Sequence, residues 1–146
     1  MDESRPEVQV RRAEPKDSLE ELTVSAFERA QDVRGGPALL QQLWGDATGL
    51  DDVSDAVGRC VGEGCVWVAL KDNRTVGAAL VRQNCVQVIW VVPHLRRQGI
   101  ATLLLRKVLQ DEVMVSDAWA LPGDRATKSL YESVGWKARL LTMRGQ

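Results

Sequence analysis

The chain has 146 residues, 45% of them hydrophobic, enough for one globular domain that buries about two thirds of the surface its unfolded form would expose. Nineteen basic against twenty acidic side chains leave a formal charge of -1, which excludes a global field drawing the protein onto nucleic acid or an anionic membrane. Cys60, Cys65 and Cys85 are odd in number and lack the paired short spacings of a zinc site, so free thiols in a reducing compartment, packed as small hydrophobes, are expected, and no metal.

Residues 1–10 open with acids and hold no apolar run, and no segment approaches the ~18 uninterrupted apolar residues of a membrane span, so a cytoplasmic protein without a membrane anchor is expected. Residues 8–12 alternate as a half-buried strand does. Ser18 begins a capping-box signature, and Leu19, Leu22, Ala26, Phe27 and Ala30 repeat at helical spacing to about residue 31. A short helix over 38–44 ends at Gly45, and Val53, Ala56, Val57 and Cys60 mark the apolar face of a third. Residues 65–72 and 75–81 read as a hairpin, and Gln83-Asn84 turn the chain into a further strand over 85–92. From Gly99 the period changes to about 3.6, with Ile100, Leu103, Leu104 and Val108 on the apolar side. A fifth strand over 115–121, a helix over 124–134 closing at Gly135 and a last strand over 136–144 complete the chain as one domain, residues 1–146.

The stretch from Trp90 to Thr102, WVVPHLRRQGIAT, passes from a strand into a helix. Such a junction aims unsatisfied amides and the positive end of the helix dipole at one point, where an anion such as phosphate fits. Gly99 puts no side chain in the way, Ala101 almost none, and Arg96 and Arg97 add positive charge at the lip. Read alone, Pro93 and Gly99 also serve as plain punctuation between solvated arginines. The glycine pattern matches neither the P-loop nor the dinucleotide fingerprint.

Val91-Val92-Pro93 followed by Arg96-Arg97-Gln98-Gly99-Ile100-Ala101 resembles the acetyl-CoA signature of the GCN5-related N-acetyltransferases, a strand ending V-x-P before [QR]-x-x-G-x-[GA]. DRATKSLYESVGW is similar to a second segment of that family, with Leu130, Tyr131, Gly135 and Trp136 in register. It departs where the usual asparagine is Asp124 and the usual alanine is Thr127, which weakens the expected side-chain contact with the pantetheine arm; Asp124 also reads as a helix N-cap. The resemblance implies an α/β fold, a central mixed and mostly antiparallel sheet flanked by helices, with the acyl donor entering where strands four and five diverge.

By the same resemblance the cofactor is acetyl-CoA. Ile89, Trp90 and Val91 would supply main-chain hydrogen bonds to the pantetheine, the amides of Arg97, Gln98, Gly99, Ile100, Ala101 and Thr102 would take the diphosphate beside Arg96, and Tyr131 would protonate the leaving thiolate. A phenol with its reference pKa of ~10 holds the proton such a donor needs. No unique general base presents itself. Gln87 stands where many relatives carry glutamate, Trp119 where some carry an acid, and Asp117 reads either as a base acting through water or as a solvated strand residue. His94 falls in an exposed turn. Trp44, Trp67, Trp90 and Trp119 read as acceptor-pocket walls or as core.

The expected activity is acetyl transfer from acetyl-CoA to a primary amine, of a small molecule or a protein, by direct attack in a ternary complex, since no cysteine has a histidine partner visible by motif. The alternative is an acyl-CoA-binding regulatory domain whose chemistry has lapsed. A charged-tRNA acceptor is disfavoured by the slightly acidic composition. Homodimers through the terminal strand are common among look-alikes, and no residue pattern here supports or excludes one.

Overall fold

The structure, a computed structural model, describes residues 7–20, 23, 24, 28, 50–96, 98–120 and 125–138. β1 (Val8–Arg12) lies antiparallel to β2 (Val66–Lys71), with Val10 opposite Ala69. Two tight hairpins follow, because two-residue loops with positive φ at both positions match the right-handed twist of the strands they join. Asp72 (φ 53°) and Asn73 (φ 62°) turn β2 into β3 (Arg74–Arg82). Gln83 (φ 55°) and Asn84 (φ 59°) turn β3 into β4 (Cys85–Val91). The sheet runs β1-β2-β3-β4-β5 with its last pair parallel. It is the mixed, mostly antiparallel sheet of the α/β fold.

Each face carries a helix. α1 (Leu50–Gly62) places Asp51 and Asp52 in its first turn and Arg59 in its last, matching the helix dipole. It ends in a Schellman motif at Gly64 (φ +75°), with Cys65 N–H donating to the Cys60 carbonyl at 2.9 Å. Cys60 packs among Val66, Val68, Leu70 and Leu80 on that side of the sheet. α2 (Ile100–Asp111) covers the other, where Leu104, Leu105 and Val108 meet Trp67, Ala79, Val81 and Val86. Leu103, expected on the apolar side, is 44% exposed, and Leu105 takes its place in the core. At 100° per residue, Leu103 falls outside the arc from Ile100 through Leu104 to Leu105.

A clasp fixes the far end of α2. The Trp67 indole N–H donates to the Glu112 carboxylate, and the Arg12 guanidinium lies 5.2 Å from the Trp67 ring centroid. α3 (Arg125–Ser133) closes in a second Schellman motif. Gly135 (φ +89°) donates to the Glu132 carbonyl at 3.0 Å, and Trp136 donates to the Tyr131 carbonyl at 3.1 Å.

Two expected strands differ from what is observed. β5 is only Asp117–Ala118, paired with Cys85 and Val86, rather than 115–121. The β3–β4 register shifts between Leu80 and Val81, opposite the step from Val86 to Val88, and a bulge bends and twists its strand. Beyond the Trp119 N–H bond to the Val86 carbonyl, at 3.0 Å, β4 and β5 part. Residues 136–138 pair with no strand, and the rest of the expected terminal strand lies outside the described residues. Of the expected helix over 18–31, Glu20, Thr23, Val24 and Glu28 are described and helical; residues 38–44 and Trp44 lie outside the described residues. Among the described residues no helix is long and apolar enough to cross a membrane.

Candidate functional site

Hydrogen-bond alternation decides which peptide groups of β4 are available. Val92 N–H donates to the Val76 carbonyl at 2.9 Å, so the peptide groups of residues 92 and 90 point toward β3, and those of Ile89 and Val91 point the other way. Among the described residues, β5 no longer runs alongside there. The chain then makes a single 3-10 turn, Pro93–Leu95, and the Arg96 side chain returns so that Nε donates to the Val91 carbonyl at 3.2 Å.

Gly99 opens α2 in the left-handed conformation, φ 81° and ψ 5°, which a glycine adopts without steric cost. No side chain caps this end, and the first helical bond is Leu103 N–H to the Gly99 carbonyl, 3.0 Å. The amides of Ile100, Ala101 and Thr102 therefore have no intrahelical partner. A β-carbon placed on Gly99 would meet nothing within 4 Å, so the space in front of these amides is open. Donors, dipole and room coincide there.

A cleft of about 410 Å³ joins the two features. β4 lines it with Ile89, Trp90 and Val91, the following turn with Leu95 and Arg96, and the α2 entry with Gly99, Ile100, Ala101 and Thr102. The opposite wall is α3, through Ala126, Thr127 and Leu130. Of the residues singled out by sequence, Gln98 is exposed and does not line the cleft, and Arg97 and Asp124 lie outside the described residues. Trp90 spends its peptide groups on Ala78, so the main-chain edge facing away from β3 belongs to Ile89 and Val91, with the Val91 carbonyl engaged by Arg96. Leu95 and Ala126 had no sequence signal; Thr127 and Leu130 stood in the second motif, and their i, i+3 spacing puts them on one side of α3.

Tyr131 is 6% exposed and belongs to the core cluster with Leu104 and Leu105, its ring stacked on Trp136 at 6.3 Å. It does not line the cleft; its neighbour Leu130 does. Gln87 is buried, and its Oε1 accepts from Arg82 Nε at 2.8 Å, while Arg82 Nη1 lies 3.9 Å from Cys60 Sγ. Asp117 and His94 are exposed, and Trp119 packs at the edge of the α1-side core. Burial pushes the Cys60 and Cys65 thiols up, against the pull of the Arg82 charge, and raises Cys85 to about 11. All three cysteines are free. Among the described residues no carboxylate or histidine lines the cleft, and no group of three or more His, Cys, Asp and Glu gathers as metal ligands do.

A strand edge and a bare helix start facing one cleft suit an elongated ligand with an anionic end. Residues 62–138 match the acetyltransferase (GNAT) domain, more than half of the chain, and the protein belongs to that family. Among solved structures, a "possible acetyltransferase" from Clostridium difficile 630 is 15% identical, with a TM-score of 0.68 over 95% of this chain and 96% of that one. A ribosomal-protein-alanine N-acetyltransferase from Brucella melitensis is 20% identical, with a TM-score of 0.61 over 87% of this chain and 83% of its own. An aminoglycoside N-acetyltransferase in complex with CoA is 14% identical, with a TM-score of 0.59 over 100% and 99%. At these identities the likeness establishes the fold. A search of curated proteins gives no match.

Proposed function

We propose that the protein transfers the acetyl group of acetyl-CoA to a primary amine, of a small molecule or of a protein, by direct attack within a ternary complex. The observation that carries this reading is the facing pair of features in one cleft: open amides at the α2 start after Gly99, and the β4 edge at Ile89 and Val91, which no described strand covers and where the Val91 carbonyl is held by the Arg96 side chain. Bound acetyl-CoA supplies an activated acetyl thioester. The amides of Ile100, Ala101 and Thr102 hold its diphosphate with charge from Arg96, and the Ile89 and Val91 peptide groups take its amide-bearing arm as a further strand. Ile89, Leu95 and Leu130 keep water off that arm. Two of the three named structures are of enzymes named for amine acceptors, a ribosomal-protein alanine and an aminoglycoside, which supports an amine acceptor here.

The motif marks Tyr131 as the proton donor to the leaving sulfur; since its ring sits in the core and does not line the cleft, that role requires the hydroxyl to reach the cleft when the donor binds. A second reading, CoA binding without turnover, draws on Gln87, whose amide cannot act as a base and is engaged by Arg82. Thiol release from acetyl-CoA over a panel of amines separates the two. Turnover with some amine, reduced about 10²-fold or more in Tyr131→Phe, supports the enzyme with its assigned acid. CoA binding with no turnover on any amine removes the enzyme reading, and no CoA binding removes the site.

A further inference from the structure

The two indoles on opposite faces of the sheet are treated differently. Trp67 gives its N–H to the Glu112 carboxylate. Trp90 is 6% exposed, its Nε1 is closed to solvent, and that N–H has no hydrogen-bond partner among the described residues. A buried indole N–H ordinarily finds a partner, so an orphan calls for a physical reason.

Its position supplies one. Trp90 stands opposite Ala78 and alternates with Ile89 and Val91, so its indole leaves the sheet on the face away from α2. Its peptide groups are taken by β3, and the residue borders the cleft between Ile89 and Val91. A donor anchored by its phosphates at the α2 start and laid along the β4 edge presents its acyl end at the sheet's edge, and a second reactant reaching it from the opposite face meets Trp90.

We infer that Trp90 is an acceptor-binding residue: its indole N–H donates to a neutral oxygen, carbonyl or hydroxyl, close to the reacting nitrogen. This rests on the acetyltransfer reading. The preferred substrates are then amines with such an oxygen a few bonds away, as in an α-amino amide or an amino sugar, over plain alkylamines. The orphan is sealed from bulk water, so the ring or its cover shifts as the ligand enters, and the bond forms in apolar surroundings that strengthen it.

The test uses the whole protein with indole nitrogens labelled. Five tryptophans give five indole N–H resonances, and Trp90→Phe, which keeps an aromatic plug and deletes the donor, identifies one of them. With CoA bound, L-alaninamide or glucosamine should move that resonance downfield and n-propylamine should not. In turnover at saturating acetyl-CoA, L-alaninamide should exceed n-propylamine about tenfold in kcat/KM, and Trp90→Phe should erase the preference. A resonance that ignores both oxygen-bearing amines, or one that moves fully with CoA alone, overturns the assignment, as does a preference that survives in the variant. Should Trp90→Phe not fold, Trp90→Tyr deletes the same N–H and identifies the same resonance; should the protein bind no CoA, the acetyltransfer reading falls separately, and titration with L-alaninamide alone still reads that resonance.

Discussion

Gly99 meets two demands with one missing side chain: a left-handed φ of 81° and unobstructed space before the first amides of α2. Gly99→Ala should cost about 1–2 kcal/mol in folding, the usual penalty for a β-carbon in that region. CoA affinity should fall further, at least tenfold, because the methyl enters the space assigned to the diphosphate; calorimetry beside urea unfolding reads the two effects apart. Arg11 and Asp17 make the other sharp residue-scale case. The Arg11 guanidinium binds both Asp17 oxygens at 2.8 Å and holds that carboxyl below its ordinary value. A depressed folded pKa stabilises above the unfolded value of about 3.9 and is lost as pH falls through the folded one. Asp17→Asn should therefore destabilise by about 1–2 kcal/mol at pH 7, the partly exposed arginine keeping it modest. The gap from wild type should stay level down to about pH 5 and close below pH 4 in urea titrations.

Among elements, α3 shows why the L-Y-x-x-x-G-W spacing is local chemistry before it is catalysis. Tyr131 and Trp136 are the two residues joined by the long hydrogen bond of the Schellman motif, and that geometry brings their side chains into contact. β3 and β4 are held with as little slack. A β-carbon on Gly77 would lie 3.1 Å from the Trp90 carbonyl oxygen and 3.4 Å from a Val91 methyl. Gly77→Ala should force β3 and β4 apart, destabilising by about 1–3 kcal/mol and weakening CoA binding at a site it does not touch. Hydrogen exchange at Val92, whose amide donates to Val76 next to that contact, should accelerate in the variant.

Across the described residues, the sheet is a continuous antiparallel unit from β1 to β4 followed by the short parallel β5, and the cleft lies where β4 and β5 part. A donor bound as proposed would bridge β4, α2 and α3 and tie that edge together. CoA at 100 times its dissociation constant should raise stability by about 2.7 kcal/mol, a Tm increase of roughly 5–10 °C for a chain of this size. Calorimetric melts with and without CoA check this, and an unchanged Tm at saturating CoA contradicts the donor site.

By itself the sequence determined what depends on near neighbours. The hairpins at Asp72-Asn73 and Gln83-Asn84, the helix start at Gly99, the glycine stop at Gly135 and the order of strands and helices all follow from periodicity and turn chemistry within a few residues. The strand-helix junction likewise pointed to Gly99 and Ala101, and the family resemblance to Ile89, Trp90 and Val91, because one strand-turn-helix carries them all. Tertiary structure alone decided what depends on residues far apart in the chain. The step from Val86 to Val88 bends β4 away and leaves β5 two residues long, α3 brings Ala126 and Thr127 to the cleft, and packing against α2 places Tyr131 in the core. Local patterning specifies which elements form, but the gaps between elements are fixed by how bulges, twist and side-chain volume balance across the sheet, and no single stretch of sequence encodes that balance.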